Sequence, residues 1–227
     1  MARSKNGGAN WSQPVDLLAY EWSKDIENPM LGADAKTGKL FLFFTMIDRH
    51  SGGCDEGILT ESGFQLVTST DRGVSWGPIT DVQKTLPDKF NGLRHSWLNH
   101  SLPCGRSVSP TVGTGIQLQR GAHAGRMLFG GQTDADNGSL VLYSDDGEVW
   151  DWTDTLHFPG NDETSVAETR NGSVMAIMRN CITKDGTSPN HLNGTADDCV
   201  GTSHRFNAAW STDGKSTPAN LYPLFRC

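Results

Sequence analysis

The sequence has no apolar run of membrane-spanning length, and its first residues, MARSKNGG, lack the hydrophobic core of a signal peptide. Nor does any window keep an apolar residue at 3.6-residue spacing, which argues against a helical protein. Positive charge is in deficit: 19 Lys and Arg stand against 26 Asp and Glu, for a net charge of −7. That balance argues against nucleic acid or an anionic membrane as the main partner; an anionic small molecule would need a local cluster of arginines. Cysteine is sparse, five in number and without zinc spacing, so no metal or cofactor is expected. Cys181 and Cys199 bracket a Gly/Asn/Asp-rich stretch that reads as a stapled surface loop, while reduced cysteines in a cytosolic protein stay open as the other reading.

What is present favours turn-rich β structure. The 227 residues include 26 glycines and seven tryptophans, with 20% charged residues, a composition too ordered for a disordered chain. Five N-x-S/T sequons, at Asn10, Asn99, Asn137, Asn171 and Asn193, point toward a secretory, lysosomal or extracellular route, although such triplets also arise by chance in turns.

One motif repeats. STDRGVSW (69–76) has the form S-x-D-x-G-x-x-W, with Ser69, Asp71, Gly73 and Trp76. The aspartate can accept backbone N–H groups inside a tight turn, the glycine can take positive φ, and the indole can bury against the sheet below. SKNGGANW (4–11) repeats the frame with Asn6 in the aspartate's place. YSDDGEVW (143–150) keeps Asp145, Gly147 and Trp150. A fourth copy near 211–218 keeps only Ser211 and Asp213. The copies recur roughly every 65–75 residues, the signature of a repeated structural unit. Between them lie short strand-like runs: KLFLFFTMI (39–47), FQLVTS (64–69), GIQLQ (115–119), RMLFGG (126–131), SLVLYS (139–144), SVMAIMR (173–179) and FNAAWS (206–211). Short strands in repeating groups fit the blades of a β-propeller better than a sandwich. Long loops are expected near 80–105 and 181–203.

These residues resemble the sialidase (neuraminidase) family, six-bladed β-propellers whose blades carry such Asp boxes. NPMLGADAKTGKLFLFFTMID (28–48) is similar to the family's strand pair after its first box, SPTVGTGIQLQRGAHAGRMLFGG (109–131) to its G-x-G-I-Q-L segment, and NDETSVAETRNGSVMAIMRN (161–180) to the segment that bears two active-site residues. The resemblance implies an all-β fold over residues 1–227 with about four of six blades, and sialylated glycoconjugates as substrates.

Carried over by position, Glu163 matches the glutamate that partners the catalytic tyrosine, and Arg179 matches the second of three arginines that hold the substrate carboxylate. The chemistry explains the residue types. Guanidinium groups grip a carboxylate bidentately. A neutral tyrosine nucleophile avoids the repulsion that an anionic one would meet beside that carboxylate. The ordinary readings are a solvated turn glutamate at 163 and a surface-seeking arginine at the end of an apolar strand at 179. Glu168 is the rival carboxylate, at the other end of SVAET. Gln117 and Asp48 are expected near the pocket.

The resemblance places the first arginine and the acid/base aspartate upstream of the first box, and the third arginine and the tyrosine downstream of the fourth. Tyr20, Tyr143 and Tyr222 do not match the nucleophile. The chain therefore reads as the central part of an exo-α-sialidase, inactive by itself. Two other readings compete: a non-catalytic Asp-box propeller that binds glycans or proteins, and a glycosidase working through two carboxylates.

Overall fold

The computed structural model describes residues 1–18, 24–48, 64–86, 108–133, 138–153, 161–182, 203–211 and 222–223. The Cys181–Cys199 pairing, Asp213 and most of both long loops fall outside them.

Among the described residues three sheets follow one another along the chain, each built mainly as an antiparallel meander. The first holds β1 (Lys24–Ala33), β2 (Leu40–Asp48), β3 (Gln65–Ser69) and β4 (Thr80–Asp81), paired in sequence order. The second holds β5 (Val108–Pro110), β7 (Ile116–Gln117), β8 (Met127–Thr133), β9 (Gly138–Ser144) and β10 (Asp151–Trp152). β5 and β7 both lie along β8. Between them, β6 (Gly113–Thr114) leaves to pair in parallel with β1, so the first strands of neighbouring sheets draw together. The third sheet is β11 (Asn161–Glu168), β12 (Val174–Ile182), β13 (Ser203–Ser211) and β14 (Tyr222–Pro223). Among the described residues the one helical element is a 3-10 turn, Val82–Thr85, and no helix is long and apolar enough to cross a membrane. The architecture is that of sialidase-type β-propeller blades.

Burial follows strand alternation. Phe41 and Phe43 point from β2 into a cluster with Met30, Phe64, Phe129 and Trp150. The rings meet edge to face, Phe43 to Phe129 at 4.7 Å and Phe43 to Trp150 at 4.9 Å between centroids, the geometry their quadrupoles favour. Leu128, Val141 and Tyr143 face the other way, onto Val166, Val174, Ala176 and Met178 of the third sheet. The second sheet is thus covered on both faces. That is why MLF and LVLY read as unbroken apolar runs rather than alternating ones.

The second box joins β3 to β4 and the third joins β9 to β10, in each case the last two strands of the sheet. Ser69 Oγ accepts the Gly73 N–H at 2.9 Å, and Asp71 accepts the Val74 and Ser75 N–H groups, both at 2.9 Å. Gly73 sits at φ +76°, where a side chain would be strained. Trp76 packs against Phe44, Met46 and Val67. Residues 1–15 form a hairpin around the first box, where Ser4 Oγ accepts the Gly8 N–H at 2.9 Å and Asn6 Oδ1 accepts the Asn10 N–H at 2.9 Å.

The third box corrects one expectation. Its carboxylate is Asp146, not Asp145: Asp146 Oδ1 accepts the Glu148 and Val149 N–H groups, both at 2.8 Å, while Ser144 Oγ accepts the Gly147 N–H at 2.8 Å. This box is one residue shorter between aspartate and glycine, so counting back from Gly147 and Trp150 lands on the wrong acid. Counting from the serine gives Ser144 and Asp146, the same step as Ser69 and Asp71. Asp145 turns away and grips the buried Arg126 with two bonds, 2.6 and 2.9 Å. Ser211 ends β13, where a fourth box would begin.

The two acidic boxes carry a pH signature. The hydroxyl and amide of Ser75 hold the Asp71 carboxyl far below the usual carboxylate range, and the Val149 and Glu148 amides lower that of Asp146. A folded pKa below the unfolded one gives stability that is complete above about pH 4 and lost as the pH falls through the folded value. The Asn6 box has no proton to gain. On acidification from pH 5 to 2, hydrogen exchange should show protection fading at the amides of Val74, Ser75, Glu148 and Val149 while that of Asn10 persists; simultaneous loss at all five would mean that the carboxylates do not control these turns.

Candidate active site

Glu163 and Arg179 meet at a flaw in the third sheet. The β11–β12 register runs Thr164↔Met178 up to Glu168↔Val174, then jumps to Asn161↔Asn180. Asp162 and Glu163 therefore both stand opposite Arg179, a β-bulge of the kind that re-aims side chains beside functional sites. Val174, Ala176 and Met178 are buried on one face of β12, so alternation sends Arg179 out on the other. Glu163 leaves the sheet on that same side. Its Oε2 accepts a bond from Arg179 Nη1 at 2.9 Å, with the two side chains 45% and 41% exposed. Glu163 is thus a strand residue with a partner rather than a solvated turn residue.

The bulge is anchored from the neighbouring sheet. Thr111, itself buried, donates its hydroxyl to the carbonyl of Thr164 at 2.6 Å, one residue past Glu163. Gly130 on β8 makes room for that carbonyl: a Cβ there would lie 2.0 Å from Thr164 O. Sequence reasoning missed Thr111, because nothing in a lone threonine announces a partner 53 residues away.

The rival and auxiliary candidates are occupied elsewhere. Glu168 accepts the N–H groups of Gln119 and Arg120, each at 2.8 Å, and anchors that turn. Gln117 stitches two hairpins together: its Oε1 accepts the Ala35 N–H at 2.8 Å, and its Nε2 donates to Asp34 Oδ1 and Gly125 O at 2.9 Å. These bonds, with that of Thr37 foremost, hold Asp34 at about 2. Tyr143 donates its hydroxyl to Asp151 at 2.6 Å, and burial together with that carboxylate pushes its pKa up, the wrong direction for a nucleophile. The side chains of Asp48, Tyr20 and Tyr222 lie outside the described residues. Among the described residues no three His, Cys, Asp or Glu side chains converge as metal ligands would. The groove of about 1280 Å³ between the first two boxes, lined by Arg3, Trp11 and Arg72 among others, does not include the Glu163–Arg179 pair.

Comparison with known proteins agrees with this architecture. Residues 1–200 match the family described as BNR repeat-like domain. A sialidase of Micromonospora viridifaciens is 28% identical over 191 residues, covering 78% of this chain. Only 27% of that relative is covered, so the chain spans about a quarter of its length. Two solved structures share the fold: the leech intramolecular trans-sialidase (TM-score 0.67, 15% identity, 98% of this chain and 45% of that one) and the intramolecular trans-sialidase of Ruminococcus gnavus (TM-score 0.66, 15% identity, 98% and 63%).

Proposed function

This chain belongs to the BNR repeat-like domain family, and we propose that the protein it represents is an exo-α-sialidase that removes terminal sialic acids from glycoproteins, gangliosides or oligosaccharides. The observation that carries this reading is the ion pair between Glu163 and Arg179 at the bulge, half-exposed and 2.9 Å long. Arg179 is the carboxylate clamp: its planar fork matches the carboxylate on the anomeric carbon of a sialic acid. Glu163 fixes the pose of that fork before substrate arrives, and its acceptor oxygens suit it to draw the proton from an attacking tyrosine hydroxyl. The tyrosine, the acid that protonates the leaving oxygen and the other two arginines are not assigned to residues of this chain.

A non-catalytic Asp-box module would have no use for this pair, and its placement at a bulge on first and second strands favours the enzyme. The test is hydrolysis by the complete protein of a fluorogenic α-sialoside against the matching β-galactoside and β-glucuronide. Turnover of the sialoside alone is expected. Turnover of either other glycoside in preference, or of none, would overturn the proposal.

A further inference from the structure

We infer that Thr111 is a positioning residue for the hydrolysis proposed above, and that its hydroxyl fixes the aim of Glu163 from the neighbouring sheet. The inference rests on that reading of the Glu163–Arg179 pair and adds to it the group that keeps the carboxylate in register.

Glu163 is weakly held by its own sheet. β11 is an edge strand, with β12 along one side only among the described residues. The bulge loosens it further, because Asp162 and Glu163 share a single opposite residue and the regular ladder resumes only at Thr164↔Met178. Arg179 is in a different position. β12 is flanked by β11 and β13, and Arg179 keeps its register partner Phe206 on β13. A relaxed bulge therefore moves Glu163 and leaves the backbone of Arg179 where it is.

Thr111 supplies the missing hold. It follows β5 directly, where the chain turns away from β8 to pair with β1 through β6. Its N–H donates to Gly130 O on β8 at 3.3 Å, and its hydroxyl donates to Thr164 O on β11 at 2.6 Å. One residue thus ties the second sheet to the third at the first regular pair beyond the bulge. Both ends are shielded from water, Thr111 being 1% exposed and Thr164 0%, so solvent does not replace this bond when it is lost. Gly130 sets the spacing, since its missing side chain is what lets Thr164 O come so close. The hydroxyl is the part that matters: valine has the same branched shape and fills the same space, but offers Thr164 O no donor.

The test uses the complete protein and a fluorogenic α-sialoside. Thr111→Val should lower kcat by roughly 10²-fold, the effect of misplacing a catalytic group by about 1 Å, with KM changed by less than about threefold. Thr111→Ser keeps the donor and should return kcat to within about threefold of the parent. Thr153→Val is the control for a merely structural role. Thr153 is also buried, and its hydroxyl accepts the Val141 N–H at 3.0 Å inside the second sheet, so this variant should lose stability and keep kcat. Because Thr111 acts through Glu163, adding Thr111→Val to Glu163→Gln should cost less than about threefold more. Circular dichroism checks folding, and Thr111→Ala repeats the comparison if the valine variant does not fold.

The inference is overturned if Thr111→Val matches the parent or the Thr153→Val control in kcat, if serine does no better than valine, or if the whole loss persists in the Glu163→Gln background. An inactive parent counts instead against the sialidase reading. The positioning role is then decided by NMR of the Arg179 side-chain N–H groups: their signals should move in Thr111→Val, return in Thr111→Ser and stay put in Thr153→Val, and unmoved signals in Thr111→Val overturn it.

Discussion

Gly130→Ala is expected to destabilise the chain by about 3 kcal/mol or more, because the added methyl has nowhere to go. The Cβ would lie 2.0 Å from Thr164 O, 2.9 Å from Thr164 C and 3.1 Å from Thr111 Oγ1. The first two are backbone atoms held in the β11–β12 ladder, so relief requires the second and third sheets to move apart. That movement would stretch the Thr111–Thr164 bond and open the cluster of Leu128, Val141, Val166 and Met178. For a chain of this length the loss corresponds to roughly 6–12 °C in Tm. Gly77→Ala is the control: its Cβ would meet Thr68 O at an ordinary 3.6 Å, and little change is expected. Thermal unfolding followed by circular dichroism compares them, and equal Tm values would refute the tight contact between sheets.

The second large effect is on catalysis rather than stability. In the complete protein, Glu163→Gln is expected to lower kcat on an α-sialoside by roughly 10²–10⁴, the usual worth of a positioned proton acceptor. Arg179→Ala should act mainly through substrate binding and orientation, with a loss of about 2–5 kcal/mol in transition-state stabilisation, the usual penalty for truncating one partner of a charge pair that is buried, as the pair between Arg179 and the substrate carboxylate would be once the sugar covers it. Arg179→Lys keeps the charge but loses the planar fork, so its activity should fall between those of parent and alanine variant. Because the two side chains touch, the double variant should lose less than the sum of the singles. Stability separates this from a structural role: a pair so exposed contributes at most about 1 kcal/mol. Kinetics and unfolding measured on the same proteins decide it, and activity losses no larger than the stability losses would remove the pair from the catalytic site.

The repeat itself was legible in the sequence because a box is local. Ser69, Asp71 and Gly73 bond within seven residues of chain, so their spacing is their structure. The long second and third strands were legible too, since their apolar residues answer to packed faces: Phe41 and Phe43 alternate inward, and Leu140, Val141, Leu142 and Tyr143 are all buried between two sheets. β1 was harder to read from composition. It carries Asn28 and Pro29 at a bulge, with Asn28 at φ +54°, and a bulge breaks the alternation from which a strand is recognised. Asp145 shows the limit within a motif: two adjacent aspartates are equivalent as letters, and only the hydrogen bonds show that Asp146 serves the turn.

By itself, then, the sequence determined the kind of element, the period of the repeat and the chemical types available at positions 163 and 179, since those depend on neighbours in the chain. Tertiary structure alone decided which side chains meet. Glu163 reaches Arg179 because a bulge of one residue puts both on the same face. Thr111 locks that bulge across 53 residues of chain. Such contacts depend on register and on the approach of separate sheets, and no spacing of letters encodes those distances.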